Sequence, residues 1–423
     1  VIPTAAEFRP AQRVIDACQT IAGFSESPNG ITRTYLSPPV REIHRFLRDW
    51  MDRLGMESSV DAVGNLRGVF RCGQPDAPRL LSGSHIDTVP NAGAYDGVLG
   101  VVMALTLIEE LSAPDNGSID YDIEFVAFAE EESVRFPVPF LGSRAITGEL
   151  DADALAQTDA KGATLAEAIE SFGLNPSQVS DAVLHESTKA FIEFHIEQGP
   201  VLEDLDLSLG IVEAIAGQSR YELTFRGKAN HAGTSPMHLR RDALAGAARW
   251  ITFVERKARQ TPGLVATVGR IEAGPGAANV VPGEVRLTLD IRHATDSVRL
   301  TALAGLLQTA GQIATLRGLG LEIVQQFTEP ATPMNAALAA GLAAAAEATG
   351  SQTHRMVSGA GHDAMVLARK VPAAMLFLRS PAGVSHHPDE SVRLEDVQAA
   401  LDAGLYFFQH LDAAALLSLE QSR

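Results

Sequence analysis

The amino-acid sequence predicts an α/β protein of two domains: a larger one with a mixed central sheet flanked by helices, and a smaller α+β insert of ferredoxin-like plan. Three observations predict it. A chain of 423 residues is longer than one ordinary hydrophobic core organises. Strand-like and helix-like stretches alternate up to about residue 216 and again after about residue 330, the pattern of a sheet covered by helices. Between those points the order becomes strand, helix, strand, strand, helix, strand, which is the ferredoxin-like order. The expected boundaries are 1–216 with 330–423 for a discontinuous first domain, and 217–329 for the insert.

Taken in order, residues 5–21 and 39–54 carry apolar side chains at helical spacing. Residues 65–71 and 79–84 read as strands, the second a run of apolar and small side chains suited to burial. That run leads into His85 and Asp87, which lie two apart and so on the same side of the strand. A turn rich in Pro and Gly carries the chain to Asp96, and Gly97 opens a long apolar helix over 98–111. The strand at 122–128 runs straight into Glu130-Glu131-Glu132. Residues 142–147 and 163–171 look helical. Residues 189–200 alternate apolar and polar side chains, as a strand or strand end does, and include His195. In the insert, strands are expected at 221–228, 264–272, 284–292 and 321–327, with helices at 241–260 and 297–317. A helix at 335–349 and strands at 353–358 and 373–378 then return to the first pattern. Residues 383–390 form a loop before a closing helix at 393–410.

Hydrophobic residues at 46% and charged residues at 20% describe a globular chain, and a net charge of −18 argues against a nucleic-acid or anionic-membrane partner. Cys18 and Cys72 supply no disulfide framework. With no apolar signal segment at the start, they lead us to expect a cytoplasmic protein. No apolar run reaches the length that spans a bilayer.

Four strand ends of the larger domain terminate in metal-binding residue types: His85 with Asp96, the Glu130-Glu131-Glu132 triplet, His195, and the pair His386-His387. Open α/β sheets gather ligand sites at the carboxyl ends of their strands. Each has an ordinary alternative. A His-x-Asp in a turn is commonly a surface hydrogen-bonded pair, a run of Glu a solvated turn, and a strand His a satisfied core side chain. Four of them at comparable positions point to one metal site, and their number suits two divalent ions about 3.5 Å apart. A nearby carboxylate that binds no metal would accept the proton of an attacking water. In the insert, the tight loop Gly274-Pro275-Gly276-Ala277-Ala278-Asn279 is of the kind that positions functional groups. Arg292 ends a strand, where its guanidinium either grips a substrate carboxylate with two bonds or pairs with a carboxylate on the surface.

Several segments match one known family together and in order. They are Gly83-Ser84-His85-Ile86-Asp87-Thr88-Val89, Glu131-Glu132-Ser133-Val134-Arg135-Phe136 and His195-Ile196-Glu197-Gln198-Gly199-Pro200 in the first part of the chain. Next come His231-Ala232-Gly233-Thr234-Ser235-Pro236-Met237, Asn279-Val280-Val281-Pro282-Gly283, Asp290-Ile291-Arg292 and Ser385-His386-His387-Pro388. The chain resembles the N-carbamoyl-L-amino-acid hydrolase, β-ureidopropionase and allantoate amidohydrolase family, within the superfamily of two-metal peptidases and aminoacylases. The resemblance implies that the larger domain is catalytic and that the insert is a lid and a dimerisation domain. It implies two divalent metals, zinc in the first place with manganese or cobalt as alternatives. His85 and His195 would hold one metal, Glu132 and His386 the other, with Asp96 bridging. Glu131 would be the general base and Asp87 would orient His85. His231 would polarise the carbonyl, and Gln198, Asn279 and Arg292 would hold the substrate carboxylate. The position after His386 departs from the family pattern, so His387 stands as the alternative ligand. His362-Asp363 is expected to support the site without binding metal. The superfamily also implies a cis peptide bond at Asp96-Gly97.

The activity implied is hydrolysis of the carbamoyl (ureido) C–N bond of a small carboxylate, with release of ammonia and carbon dioxide. Allantoate and N-carbamoyl-L-amino acids lead as substrates and N-carbamoyl-β-alanine comes third. A homodimer is expected, with His231 reaching the partner's site. A dipeptidase or aminoacylase would share the metal site, but those relatives often carry a carboxylate at the position of His195. A metal-binding scaffold without activity would have no use for Glu131.

Overall fold

The buried strand Arg79–His85 has a parallel neighbour on each side, Asp122–Phe128 and Thr188–Ile196, and Ala373–Leu378 runs parallel beyond the latter. These strands form the centre of a computed structural model that describes residues 9–113 and 116–419. Parallel strands are covered on both faces, and these four are buried at nearly every position. Antiparallel strands flank them. Leu66–Phe70 and Glu57–Val60 lie on one side, and Leu209–Ile215 and Thr332–Pro333 on the other. The central sheet is therefore mixed, as expected.

Parallel pairing has a consequence for function. The carboxyl ends of four strands, at His85, Phe128, Ile196 and Leu378, open on one edge of the sheet. The chain leaving each end begins with residues that carry polar chemistry. Below that edge lies the helix Val98–Ser112, apolar all round because it is enclosed. It packs on Arg79–His85 and Thr188–Ile196 and is covered by Arg9–Ala22 and Leu394–His410. Contact with the sheet is direct: a Cβ on Gly100 would lie 2.1 Å from the carbonyl oxygen of Phe194.

The chain divides into two units, one running to Glu213 and resuming at Met334, the other spanning Ala214–Pro333. In the second unit the strands run in the order Ile271–Gly274, Glu284–His293, Gly217–Arg226, Gly320–Glu329, all antiparallel. The helices Ala243–Gln260 and Asp296–Arg317 cover the sheet. Phe225, Trp250, Leu287, Leu289 and Leu306 are among the buried residues of a core separate from that of the first unit.

Several elements differ from the sequence reading. Residues 5–8 of the first expected helix lie outside the described residues; the described part is Arg9–Ala22. Glu57–Val60 and Leu209–Ile215 are strands that the sequence reading passed over. The strand expected at 264–272 is two pieces, Val265–Thr267 and Ile271–Gly274. Between them Val268, Gly269 and Arg270 face only Leu289 and Thr288, which makes a β-bulge. Asn230–His231 and Val280–Val281 pair as a short separate ladder. Among the described residues no helix is long and apolar enough to cross a membrane.

Candidate metal centre

The loops leaving the four parallel strands bring two groups of donor atoms together. His85, Asp96 and His195 each offer an atom within 4.8 Å of the others, and so do Asp96, Glu132 and His386. Asp96 belongs to both groups and faces them with different oxygens. Its Oδ1 is 3.3 Å from His195 Nε2 and 3.9 Å from His85 Nε2, while its Oδ2 is 3.1 Å from His386 Nε2. The same His386 nitrogen lies 3.2 Å from Glu132 Oε1. His387 is exposed and turns instead to Asp389, at 3.5 Å.

The orientation of the rings fits ligation. His195 Nδ1 is 2.9 Å from the carbonyl oxygen of Ile196, and His85 Nδ1 is 3.1 Å from that of Asp87. A carbonyl accepts only from an N–H, so both rings carry the proton on Nδ1 and turn Nε2 toward Asp96. His195 Nε2 is buried and makes no hydrogen bond. Charge points the same way. Burial would lower the pKa of His85, but Asp87, Asp96, Glu132 and Asp363 outweigh it and raise it to about 9. Hydrogen bonds to Asp96 and Glu132 raise His386 to about 10. Burial pushes Asp96 up, yet His386, His195 and His85 hold it well below the usual carboxylate range. The cluster thus stabilises positive charge among its carboxylates, and a divalent cation would supply that charge in place of protons. Nitrogen and oxygen donors of this kind suit such a cation.

The Glu triplet splits into three roles. Glu130, at φ 55°, turns inward and is fully buried. Its Oε1 accepts from the N–H groups of Arg135 at 2.7 Å and Phe136 at 2.8 Å, so it braces the loop. Glu132 faces His386. Glu131 belongs to neither donor group. Burial above all, and then Glu132, Asp363, Asp87 and Asp96, push its carboxyl well above the ordinary range. A carboxyl raised in this way holds a proton more readily than a free one, as a group that accepts a proton from water must.

Asp87 touches both His85 and the Glu pair. Its carboxylate lies 3.7 Å from His85 Nδ1, and the ring is instead oriented by the Asp87 carbonyl. The two carboxylate oxygens accept from the N–H groups of Glu131 and Glu132, each at 3.0 Å. Asp87 therefore steers His85 through its main chain and the Glu pair through its side chain. The expected cis bond is not found. Among the described residues the cis peptide bond is Gly274–Pro275, and Asp96–Gly97 is trans. The turn is made by Gly97 at φ 65°, where a Cβ would lie 2.5 Å from the His85 ring. Only glycine allows both that turn and the close approach of the imidazole.

Other residues close around the centre. Gln198 Nε2 donates to Asp96 Oδ2 at 3.0 Å and to Oδ1 at 3.1 Å, so this side chain lies against the shared carboxylate. His362 stands behind His195, ring centroids 4.6 Å apart, with its Nε2 2.8 Å from Ser358 Oγ. Asp363 is fully buried, and burial raises its carboxyl to about 7. The sequence reading missed Glu193, Ser385 and Glu390. Glu193 is fully buried, accepts from Ser84 Oγ at 2.7 Å and Ala364 N–H at 3.0 Å, and joins His195 and His362 in a third donor group. Its spacing of two from His195 on one strand was the available signal.

The second unit carries the other expected residues. His231 is exposed, and its Nδ1 accepts from the N–H groups of Gly233 at 3.1 Å and Thr234 at 3.3 Å. That tautomer leaves the proton on Nε2, so the ring presents a donor. Asn279 is beside it, its carbonyl accepting from Ala232 N–H at 2.8 Å. Arg292 pairs with Asp290, Nε to Oδ1 at 2.8 Å and a terminal nitrogen to Oδ2 at 3.0 Å. It lies eight residues along its strand from Glu284, roughly 27 Å at about 3.4 Å per residue, and Asn279 comes before Glu284. The resemblance implies that Asn279 and Arg292 hold one carboxylate. In one copy of the chain they stand at opposite ends of a long strand.

Comparison with known proteins adds to this geometry. Residues 81–410 match the model of Peptidase family M20/M25/M40. The chain is 36% identical to the probable allantoate deiminase of Oryza sativa subsp. japonica, over 94% of this chain and 88% of that one. It is 38% identical to the N-carbamoyl-L-amino acid amidohydrolase of Geobacillus stearothermophilus, over 87% and 90% respectively. The crystal structure of an amidase of the hydantoinase/carbamoylase family from Burkholderia multivorans is similar with a TM-score of 0.90 at 31% identity, covering 96% of this chain and 98% of that one.

Proposed function

This chain belongs to peptidase family M20/M25/M40, and from that premise we propose that it is a metal-dependent amidohydrolase that cleaves the carbamoyl C–N bond of a small carboxylate. The observation that carries this reading is the single buried carboxylate, Asp96, shared by two donor groups, with Glu131 beside them and outside both. His85, His195 and Asp96 would hold one divalent ion, and Glu132, His386 and Asp96 the other. Zinc suits the donors, with manganese and cobalt as alternatives. Ions bound there polarise a carbonyl and lower the pKa of water. Glu131 takes the proton of the attacking water and returns it to the leaving nitrogen. His231, protonated on Nε2, donates to the oxygen that gains charge. One water is consumed, and the carbamoyl group leaves as ammonia and carbon dioxide from an amine-bearing acid. The names of the similar enzymes make allantoate and N-carbamoyl-L-amino acids the first substrates to test, with N-carbamoyl-β-alanine after them. The unpaired Cys18 and Cys72 suit a reducing cytoplasm.

The decisive assay is ammonia release from each of these substrates by the metal-loaded protein. A chelator is expected to abolish it and added metal to restore it. Hydrolysis that survives complete metal removal would sink the reading.

The active form is a homodimer in this proposal. One small substrate cannot touch both His231 with Asn279 and Arg292 of the same insert, given their separation along the strand Glu284–His293. Two copies of the chain supply them. The strand Gly320–Glu329 supports pairing: it lies at the edge of its sheet, is exposed over most of its length, and shows Ile323 and Val324 to solvent. Mixing Glu131→Gln chains with His231→Ala chains, each inactive alone, should restore part of the activity. No recovery in dimers shown to exchange subunits would place His231 at its own chain's site.

A further inference from the structure

Asp96 is useful as a shared ligand only if the loop that carries it and the loop that carries His386 keep one register. These loops are nearly three hundred residues apart in sequence, and Glu390 bonds to both. Glu390 is buried, 6% exposed. Its Oε1 accepts from the N–H groups of Tyr95 at 2.8 Å and Asp96 at 3.0 Å. Its Oε2 accepts from Ser385 Oγ at 3.1 Å, one residue before His386. Its own N–H donates to the carbonyl of His387 at 3.0 Å, closing the turn that follows His386. The fit is tight on the Asp96 side as well. A Cβ on Gly93 would lie 2.3 Å from Glu390 Cβ and 2.4 Å from Oε1.

Ser385 adds a second link. Its hydroxyl is 3.1 Å from Asp96 Oδ2 and 3.1 Å from Glu390 Oε2. A hydroxyl has one proton, so it serves one carboxylate at a time. With Glu390 available to take it, the hydroxyl need not occupy Asp96 Oδ2, the oxygen that faces His386.

We propose that Glu390 is the positioning residue that locks the Asp96 turn to the His386 loop, so that one carboxylate serves both donor groups. The inference rests on the two-cation reading above. It assigns Glu390 no contact with substrate or reacting atoms.

The test is a calorimetric titration of metal-free protein with Zn2+, with the melting temperature followed separately. Wild-type protein is expected to take up two ions. Glu390→Ala should keep the first and bind the second, held by Glu132 and His386, at least about tenfold more weakly, the scale seen when partners of metal ligands are removed. Glu390→Gln keeps a carbonyl oxygen for the N–H groups of Tyr95 and Asp96 and should retain both ions within about threefold. Gly93→Ala, which drives a methyl group into Glu390, should behave like Glu390→Ala. Two ions bound by Glu390→Ala at wild-type affinity would overturn the proposal, whatever the melting temperature. So would an equal loss in the Gln and Ala variants, because hydrogen-bond geometry would then not be what Glu390 supplies. If Glu390→Ala does not fold, Ser385→Ala carries the test: a weakened second ion supports the lock and unchanged affinity removes it. Fewer than two ions on the wild type would instead sink the two-cation reading itself.

Discussion

Glu131→Gln is expected to lose at least about a hundredfold in kcat, about 2.7 kcal/mol in the barrier, while binding metal as the wild type does. The substitution keeps the shape of the side chain. It also keeps the Glu131 N–H that donates to Asp87, so the loop stays in place. What it removes is the capacity to hold a proton between the water and the leaving nitrogen. Metal uptake should not change, because Glu131 lies in neither donor group. The neighbouring Glu132→Gln should do the reverse and lower metal affinity first, since Glu132 Oε1 is the oxygen that faces His386. Steady-state rates at saturating metal, together with metal content after dialysis, separate the two variants. If they exchange phenotypes, the carboxylate that moves the proton is Glu132.

The reason the strand ends could be read from the sequence, and the directions of the three Glu side chains could not, is physical. His85, the Glu triplet, His195 and His386 stand where parallel strands end, and apolar runs mark those strands plainly. The direction of each side chain after the strand depends on backbone angles that composition does not reveal. Glu130 turns inward because its φ is 55°, and the same kind of turn at Gln198 brings an amide against Asp96. Glu390 was out of reach for a different reason: its partners, Tyr95 and Asp96, lie nearly three hundred residues earlier, and no local pattern announces such a bond. The strand Glu57–Val60 is a polar edge strand without an apolar run. The bulge at Val268 to Arg270 lies inside what reads as one strand. In the insert, Asn279 and Arg292 are close in sequence, but the chain between them is largely extended, so closeness in sequence becomes separation in space.

Arg292→Ala is expected to raise KM and lower kcat together, costing about 2–5 kcal/mol in kcat/KM, roughly thirtyfold to several thousandfold. A metal pair polarises any amide, so preference for a carboxylate substrate needs a cation elsewhere, and Arg292 ends its strand half-buried with its plane set by Asp290. That pairing orients the guanidinium and also makes the experiment clean. After truncation Asp290 still accepts from Arg220 Nε at 2.9 Å and Gln218 Nε2 at 2.7 Å, so no buried charge is stranded and the insert should keep its stability. Arg292→Lys should recover only part of the loss, because an ammonium cannot make the planar two-bond contact. A substrate with its carboxylate converted to an amide should be poor with the wild type and no poorer with Arg292→Ala. Equal losses on the acid and the amide would mean that the guanidinium supports the insert and does not read the carboxylate.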